Sequence, residues 1–229
     1  MPVEVSIVVP SYREEENLRL ILPRIRRVMA DTRLSYEMVI VDTMEAMDET
    51  ETVCRELGAR YLPRSGGNSY GDAVRSGIAA AEGRYTVFMD ADGSHTPEFL
   101  PNLLEHRSAY EVVIASRYVQ GGGTEDRAML VFMSRLLNLA YSLILNLNCK
   151  DVSNGYKLYR TDLLKAVPLS CSGFDVVEEI LYKLNKRHRI RIKELPYSFK
   201  RRMFGESKRN LPLFILFYLY TLIRLRLGW

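Results

Sequence analysis

The sequence lacks the cysteine content on which small secreted domains and zinc-binding domains depend. It has three cysteines in 229 residues, Cys54, Cys149 and Cys171, and none forms a Cys-x-x-Cys pair. An odd number of separated thiols predicts reduced cysteines in a cytosolic setting and argues against a disulfide framework or a structural zinc site. No signal peptide is recognisable at the amino terminus, and no internal repeat or low-complexity segment occurs.

The glycine patterns of two common nucleotide-binding folds are also absent. Pro10–Glu15, where a dinucleotide-binding fold carries Gly-x-Gly-x-x-Gly, contains no glycine. The glycine loop at positions 66–71 lacks the Gly-Lys-Ser/Thr ending of a P-loop. A dehydrogenase-type site and a P-loop site are therefore excluded, and a nucleotide would have to bind in another way.

No hydrophobic run is long enough to cross a bilayer. Leu211–Ile223 is apolar almost throughout, but a helix of this length extends only about 20 Å, against roughly 30 Å of hydrocarbon. The arginines and Trp229 that follow it are typical of an interfacial anchor, so we expect residues 211–229 to associate with a membrane. Residues 130–148 predict a second, amphipathic interfacial helix. The alternative for the C-terminal helix is packing on the core or in a dimer interface.

The net charge of +4 conceals a strong asymmetry along the chain. Lys183–Trp229 contains thirteen Lys and Arg against Glu194 and Glu206, a balance of +11, so residues 1–182 carry −7. Basic segments usually meet phosphate, on nucleic acid, on anionic lipid or on a phosphorylated small molecule. Nucleic acid is the least favoured partner, because the aromatic residues of this segment lie inside an apolar helix rather than alternating with cations.

Short apolar runs alternate with helical segments through the first half of the chain. The runs predicted as strands are Val5–Val9, Glu37–Val41, Tyr61–Pro63, Tyr85–Met89 and Val112–Ser116. Amphipathic segments of helical length separate them. This order predicts one α/β domain over residues 1–210, in which a mostly parallel sheet carries helices on both faces.

Two acidic residues end one of these strands. Tyr85–Met89 stops at Asp90-Ala-Asp92-Gly93, so both carboxylates follow the carboxyl end of a buried strand. Ligands bind at that edge of open α/β sheets, and two carboxylates one residue apart can converge on Mg²⁺ or Mn²⁺. We therefore predict a metal site at Asp90 and Asp92, with a solvated turn as the alternative. His95 is expected to pack or to orient a ligand rather than to catalyse.

Seven segments in colinear order resemble those of family 2 glycosyltransferases, and more narrowly the polyprenyl-phosphate sugar synthases typified by dolichyl-phosphate mannose synthase. They are Val8–Asn17, Val41–Asp42, the glycine loop, Phe88–Asp92, Ala115–Val119 with Gly121–Gly123, Asp151–Gly155 and Arg202–Lys208. The fold that this resemblance implies is of the GT-A type, which is Rossmann-like.

The resemblance also implies a set of site residues. Nucleotide-sugar binding is expected at Pro10, Tyr12, Glu14, Asp42, Gly71, Asp90, Ala91 and Asp92, with Mg²⁺ or Mn²⁺ on Asp90 and Asp92. The acceptor phosphate is expected at Arg117, Ser134, Arg202 and Lys208. Catalysis is expected to depend on Asp90, Asp92, Arg117 and Arg202.

The activity implied is inverting, metal-dependent transfer of a hexose, mannose or glucose, from a GDP- or UDP-hexose to dolichyl or undecaprenyl phosphate. A protein of this kind is expected to be peripheral, on the cytoplasmic face of a membrane, with the membrane surface or a small membrane subunit as partner. Two alternatives remain open. One is a carbohydrate or other hydroxyl acceptor, with Asp175, Glu178 or Glu179 as base. The other is a catalytically silent subunit that binds a nucleotide sugar.

Several positions depart from the family pattern, among them Arg13 and Asn154, which stand where the family commonly has Asn and Ser. The segment 43–50 lacks the usual second Asp and the glycines, which leaves the nucleotide and the sugar open. Ser94 stands where the family often has Gln. Leu130 stands at a family arginine, and Arg127 or Arg135 is the alternative source of that charge.

Overall fold

The computed structural model describes the backbone of residues 2–200 and 211–227, and the side chains of 2–200 and 217–227. Arg202 and Lys208, expected to bind phosphate, lie outside the described residues. The strands are β1 (Val5–Pro10), β2 (Tyr36–Asp42), β3 (Arg60–Pro63), β4 (Tyr85–Phe88), β5 (Val112–Ser116), β6 (Gly123–Thr124), β7 (Lys157–Arg160), β8 (Ile192–Pro196) and β9 (Ser198–Phe199).

Eight α-helices are described between and after these strands. They are α1 (Glu15–Thr32), α2 (Thr50–Glu56), α3 (Tyr70–Ala80), α4 (Leu100–Glu105), α5 (Ala128–Ile144), α6 (Thr161–Lys165), α7 (Val176–His188) and α8 (Leu211–Leu227). A single 3₁₀ turn, Pro97–Phe99, leads into α4. Within the described part of the chain, no helix is both long and apolar enough to cross a membrane.

The central sheet confirms the predicted fold class. Its strand order is β3-β2-β1-β4-β7-β5-β8, and every pair is parallel except those that β7 makes. Strand β1 shows why both faces are covered: Val8 belongs to one buried apolar cluster, while Ile7 and Val9 belong to another. Because successive side chains of a strand point to opposite faces, the two clusters are the two helix-covered layers of an α/β fold.

Strand β7 runs opposite to its neighbours. It pairs antiparallel with β4, where Phe88 lies opposite Lys157, and with β5, where Ile114 also lies opposite Lys157. The loop 151–155 that precedes β7 therefore arrives at the carboxyl ends of β4 and β5. No strand is predicted there from the sequence.

Helices α5 and α8 pack against each other and against the start of α7. The hydroxyl of Tyr141 donates to the carbonyl of Tyr218 at 2.6 Å, and that of Thr221 donates to Asp175 at 2.5 Å. Both helices also leave large apolar side chains exposed: Met129, Leu130, Phe132, Leu136, Leu139, Leu143 and Ile144 on α5, and Phe217, Leu219, Tyr220, Ile223 and Leu227 on α8. We call these residues the apolar face. The three cysteines are free and buried.

A lysine and a glutamate are buried beneath the loop 151–155. The ammonium of Lys157 donates to the carbonyls of Val152, at 2.7 Å, and Asn154. Burial lowers the pKa of Lys157 to about 8. Burial raises the pKa of Glu178 to about 8, and the nearby charge of Lys157 opposes that rise. Neither carboxylate oxygen of Glu178 has a hydrogen-bond partner among the described residues.

This glutamate makes stability depend on pH. Its pKa in the fold lies above the ordinary value of 4.5, so between about pH 4.5 and 8 the folded chain holds a proton that the unfolded chain releases. The stability that Glu178 contributes is therefore present at low pH and lost as the pH rises to about 8. The lowered pKa of Lys157 affects stability only between about pH 8 and 10.5, above the pH range in which Glu178 titrates.

We predict that Glu178→Gln, which cannot ionise, removes this loss. The fall in unfolding free energy between pH 5 and pH 8 should shrink by a few kcal/mol, as a pKa shift of several units implies. Urea unfolding at the two pH values measures it. Glu105→Gln, at an exposed position on α4, serves as the control and should leave the fall unchanged. An equal fall in unfolding free energy between pH 5 and pH 8 in the wild type and Glu178→Gln would contradict the prediction.

Candidate active site

The two predicted metal ligands lie on a tight turn after β4. The hydroxyl and the backbone N–H of Ser94 donate to Asp92 Oδ1 at 2.5 and 3.0 Å, and Asp92 is nearly buried. Gly93 has φ of 81°, a left-handed conformation that glycine adopts without strain and that bends the chain here. The side chain of Asp90 is 31% exposed. Asp90 therefore faces outward while Ser94 fixes Asp92.

His95 is locked behind Asp90. Its Nδ1 accepts the backbone N–H of Asp90 at 2.8 Å, so Nε2 is the nitrogen that faces Asn154 Oδ1 at 3.1 Å. The same nitrogen lies 3.8 Å from Asp90 Oδ2. The ring stacks on Tyr156 with centroids 4.8 Å apart. These contacts hold the histidine ring in one orientation beside the carboxylate of Asp90.

The acidic turn offers carboxylate ligands to a hard divalent cation whose remaining ligands come from a substrate and water. Within the parts of the chain that the structure describes, no three His, Cys, Asp or Glu side chains are grouped to hold a metal. Magnesium commonly uses only one or two carboxylates and takes its remaining ligands from substrate phosphates and water. Asp90 and Asp92 supply such a pair, and the hydroxyl of Ser94 is already engaged with Asp92.

Arg117 forms a buried ion pair at the carboxyl end of β5. Its Nε and Nη2 donate to the two oxygens of Asp151 at 2.8 and 2.7 Å, and Nη2 also donates to Ser153 Oγ at 2.9 Å. Burial by itself lowers the pKa of Arg117, but the charge and hydrogen bonds of Asp151 outweigh it and the net shift is upward. The guanidinium therefore stays protonated. Its charge is balanced by the carboxylate of Asp151, which also fixes its orientation.

A chain of hydrogen bonds joins this ion pair to α5. The hydroxyl of Tyr118 donates to Ser134 Oγ at 2.7 Å. The side-chain amide of Asn138 donates to Ser153 Oγ at 2.9 Å, and the backbone N–H of Ser153 donates back to Asn138 Oδ1 at 2.9 Å. Arg117 and Ser134, both expected at the acceptor phosphate, therefore belong to one connected network.

A cavity of about 640 Å³ lies between this network, α5 and α8. Its polar lining residues include Asp90, His95, Arg117, Asp126, Ser134 and Asn154. Its apolar lining residues include Leu130, Val131, Met133, Leu136, Leu137, Ala140, Val177 and Leu219. Leu130, where the family has an arginine, is thus part of the apolar wall. The lining therefore suits a ligand that carries both polar and hydrophobic groups.

A buried arginine joins three segments at the carboxyl edge of the sheet. Arg64 donates to the carbonyl of Asp42 at 2.9 Å and to that of Ser11, and its other nitrogen donates to the glycine-loop carbonyls of Asn68 and Ser69. One guanidinium therefore ties together the ends of β1 and β2 and the glycine loop. No local pattern in the sequence indicates this role, because the partners of Arg64 are backbone carbonyls from three separate segments.

Asp42 ends β2 and is buried. Burial raises the pKa of this carboxyl. Its Oδ2 accepts from the hydroxyl of Tyr61 at 3.4 Å, while Oδ1 has no partner among the described residues. Buried polar atoms are rarely left unpaired, so this oxygen is suited to accept a hydrogen bond from a ligand.

The other residues expected to bind the nucleotide sugar lie on the same edge of the sheet. Pro10 ends β1, the side chain of Tyr12 is half-exposed, and Glu14 accepts from the amide of Asn17 at 2.5 Å. Ala91 is buried in the turn between the two aspartates. The structure brings all four to the carboxyl ends of β1 and β4.

Gly71 has a packing reason to be glycine. Its N–H donates to the carbonyl of Ser172 at 2.8 Å. A Cβ at this position would lie 2.1 Å from the carbonyl oxygen of Cys171. The start of α3 therefore lies directly on the segment 170–175.

The carboxylates considered as general bases are engaged elsewhere or enclosed. Glu179 accepts the backbone N–H groups of Ser170 and Cys171 and the ammonium of Lys183. Asp175 accepts the hydroxyl of Thr221. Neither of them, nor Glu178, is among the described residues that line the cavity.

Comparison with known proteins identifies the family. The model of Glycosyl transferase family 2 matches residues 6–167. The chain belongs to glycosyl transferase family 2. It is therefore a glycosyltransferase, and the resemblance seen in its motifs is confirmed.

Several named relatives of this glycosyltransferase cover most of its length. Dolichol-phosphate mannosyltransferase of Pyrococcus furiosus is 31% identical over 217 residues, which are 90% of this chain and 59% of the relative. Undecaprenyl-phosphate mannosyltransferase of Micrococcus luteus is 31% identical and covers 91% of this chain and 88% of the relative. Dolichol-phosphate mannosyltransferase of Saccharomyces cerevisiae is 27% identical, with 91% and 82% covered. The chain thus spans less than two thirds of the Pyrococcus relative.

Solved structures confirm the GT-A fold. Glucosyl-3-phosphoglycerate synthase from Mycobacterium tuberculosis, in complex with Mn²⁺, UDP-glucose and phosphoglyceric acid, matches with a TM-score of 0.75 at 20% identity. The match covers 99% of this chain and 80% of that one. The same enzyme with Mg²⁺ and UDP matches with a TM-score of 0.72, also at 20% identity and with 99% and 80% covered.

We predict that Asp151→Asn destabilises the glycosyltransferase, because it leaves the buried Arg117 without a counter-charge. The unfolding free energy in urea should fall by about 3 kcal/mol. Asp162→Asn is the matched control, since Asp162 pairs with Arg160 on the surface and both side chains are exposed. That variant should change stability by no more than roughly 0.5 kcal/mol. Similar losses of unfolding free energy in the two variants would show that the Arg117–Asp151 pair contributes no more to stability than the exposed pair.

Proposed function

We propose that this glycosyltransferase moves a hexose from a nucleotide sugar to a polyprenyl phosphate at a membrane surface. The observation that carries the proposal is the cavity, which joins the acidic turn and the Arg117 network to an apolar wall formed by α5 and α8. A prenyl phosphate has this division of polarity. The relatives named for dolichol phosphate and undecaprenyl phosphate support the same acceptor class.

The acceptor end needs binding groups rather than a general base. A phosphate monoester has a second pKa near 6, so its oxygen is already largely ionised at neutral pH. The hydroxyl of Ser134, which accepts from Tyr118, can donate to it, and Arg117 is held nearby in a fixed orientation. Bidentate guanidinium contacts are well suited to phosphate, although Asp151 already occupies one side of Arg117. Arg202 and Lys208 are proposed as the additional cations.

The donor end is proposed to lie at Asp90 and Asp92. A divalent cation held there, Mg²⁺ or Mn²⁺, would neutralise charge on the departing diphosphate. The related folds that were crystallised with Mn²⁺ or Mg²⁺ and UDP support this assignment. The base and ribose of a GDP- or UDP-hexose are proposed to lie along Pro10, Tyr12, Glu14 and Asp42, with Ala91 and Gly71 shaping the edge. Direct displacement by the acceptor phosphate would invert the anomeric carbon.

A hydroxyl acceptor is the second candidate. A carbohydrate hydroxyl has to lose its proton during transfer, which calls for a positioned base. Asp175 and Glu179 are held by other partners, and Glu178 is buried away from the cavity. None of these three candidate bases lines the cavity, which supports the phosphate acceptor.

Turnover of a donor panel tests the proposal. The full chain is incubated with Mn²⁺, a short-chain polyprenyl phosphate and GDP- or UDP-linked mannose and glucose. Formation of a β-linked glycosyl lipid from one donor is the expected result. Donor binding without any product would favour a silent nucleotide-sugar-binding subunit, and product formed only on sugar hydroxyls would favour the second candidate.

We predict that Asp92→Asn lowers kcat/KM by roughly a hundredfold or more, because the charge that holds the cation is lost. The Mn²⁺-dependent part of donor binding, measured by calorimetry, should disappear in the same variant. Asp162→Asn, the same substitution at an exposed ion pair, is the control. It should keep the wild-type kcat/KM and the Mn²⁺-dependent donor binding. Wild-type activity in Asp92→Asn would remove this residue from the metal site.

The apolar face of α5 and α8 is proposed to rest on the membrane, so that the apolar wall of the cavity lies towards the lipid. Exposed hydrophobic surface of this extent marks an interaction site, and the arginines of α8 suit an anionic interface. We place the protein peripherally on the cytoplasmic face. A small membrane subunit is the other occupant that this face would fit.

We predict that serine at Phe132, Leu136 and Leu143 together weakens binding to anionic lipid vesicles by roughly tenfold or more. These three residues are strongly exposed on α5. A triple variant with serine at Leu20, Met44 and Met47, which are also exposed but lie far from α5 in the sequence, is the control. Vesicle cosedimentation measures both. Equal binding by the two triple variants would contradict a membrane role for α5.

A further inference from the structure

We propose that Lys157 is a positioning residue for the acceptor phosphate, because its ammonium anchors the loop 151–155 and, through that loop, the guanidinium of Arg117. This inference rests on the proposed function and adds to it the group that keeps the acceptor side in place. Lys157 is fully buried in β7, between β4 and β5. It lies opposite Phe88 on one side and Ile114 on the other. The lysine does not line the cavity, so it acts on the ligand through other groups.

A lysine in this position is costly. A charge taken out of water needs strong compensating contacts, and apolar residues of similar size often serve a protein interior as well or better. The next two residues of β7, Leu158 and Tyr159, are buried and each belongs to one of the apolar clusters. Burial lowers the pKa of Lys157 to about 8, and the charges of Glu178 and Asp151 oppose that fall, so most of the ammonium is protonated at pH 7. The packing of the sheet therefore gives no reason for a cation here.

The partners of the ammonium give that reason. It donates to the carbonyl of Val152 at 2.7 Å and to that of Asn154, the residues on either side of Ser153. Hydrogen bonds from a charged donor are stronger than those between neutral groups. Glu194 holds the start of the loop, by accepting the N–H groups of residues 150 and 151. Lys157 therefore fixes the middle and the end of the loop.

The loop in turn determines how Arg117 is oriented. The described hydrogen bonds of its guanidinium all run to two loop residues, Asp151 and Ser153. The next residue, Asn154, faces Nε2 of His95 behind the acidic turn. A movement of the loop would thus carry the hydrogen-bond partners of Arg117 with it. A misplacement of only about 1 Å is enough to cost an enzyme a large factor in rate.

Lys157→Met tests this role, because methionine is of similar length but has no proton to donate. Initial rates are measured with the full chain, Mn²⁺, a short-chain polyprenyl phosphate and the nucleotide hexose that the donor panel selects. We expect the KM for the polyprenyl phosphate to rise roughly tenfold or more and the KM for the nucleotide hexose to stay within about twofold. A lysine needed only for folding would lower kcat, because fewer molecules would be active, and would leave both KM values unchanged.

Lys165→Met is the matched control. The ammonium of Lys165 also donates to a main-chain carbonyl, that of Ala81 at 2.7 Å, but this lysine is exposed and lies near the amino end of β4, at the opposite edge of the sheet. The variant should keep the wild-type KM for both substrates. Equal increases in acceptor KM in the two lysine variants, or no increase in Lys157→Met, would overturn the proposal.

A double variant, Lys157→Met with Glu178→Gln, guards against misfolding of the single one. The charge of Lys157 opposes the rise in the pKa of the buried Glu178, so its removal alone also affects that carboxyl. In the double variant neither group ionises, and we expect the increase in acceptor KM to persist. A return to the wild-type KM would show that the lysine serves only to balance Glu178. Failure of both variants to fold would make it a residue of stability alone, and either result overturns the proposal.

Hydrogen exchange separates this inference from the function on which it rests. The backbone N–H groups of Ser153, Asn154 and Tyr156 donate to side-chain oxygens, so their exchange rates report the order of the loop. If the wild type forms no glycosyl lipid, the acceptor proposal fails. Exchange of this segment roughly tenfold faster in Lys157→Met than in Lys165→Met would still support the anchor, whereas equal exchange would overturn it.

Discussion

The reversal of β7 inside an otherwise parallel sheet is the constraint on which the site depends. Because β7 runs antiparallel to β4 and β5, its amino end lies where the carboxyl ends of its neighbours lie. The loop 151–155 thus enters the ligand-binding edge, where a parallel strand would have brought its own last residues. From that loop come Asp151, the partner of Arg117, and Asn154, which contacts His95. The ammonium of Lys157, buried in β7, holds the loop carbonyls from below.

Arg117 and Asp151 show how the edge is made rigid. Taking two charges out of water is costly, and the pair is tolerated because every hydrogen bond is directional and well formed. The network then continues through Ser153, Asn138 and the backbone of α5. Arg117 therefore fixes the positions of the loop 151–155 and its neighbours as well as supplying a charge. The same network attaches α5 to the end of the sheet by hydrogen bonds.

Much of the architecture follows from the sequence, because continuous apolar runs and helical spacing are local signals. The first five strands and the position of Asp90 and Asp92 at a sheet edge were predictable for that reason. Helix α5 was expected at 130–148 and spans Ala128–Ile144, a difference typical of helix ends. Strand β7, Lys157–Arg160, was missed because it begins and ends with a basic residue instead of forming a continuous apolar run, and its direction depends on distant neighbours. Arg64 was missed because nothing local distinguishes a buried arginine from a solvated one.

The segment 170–175 links parts of the molecule that are far apart in the chain. The start of α3 hydrogen-bonds to it through Gly71, α8 is fastened to its last residue, Asp175, by Thr221, and Phe174 forms part of the cavity wall. A displacement of the C-terminal helix would consequently be felt, through these few hydrogen bonds, at the aromatic lining of the cavity. The apolar face and the cavity are thus mechanically coupled through six residues of the chain.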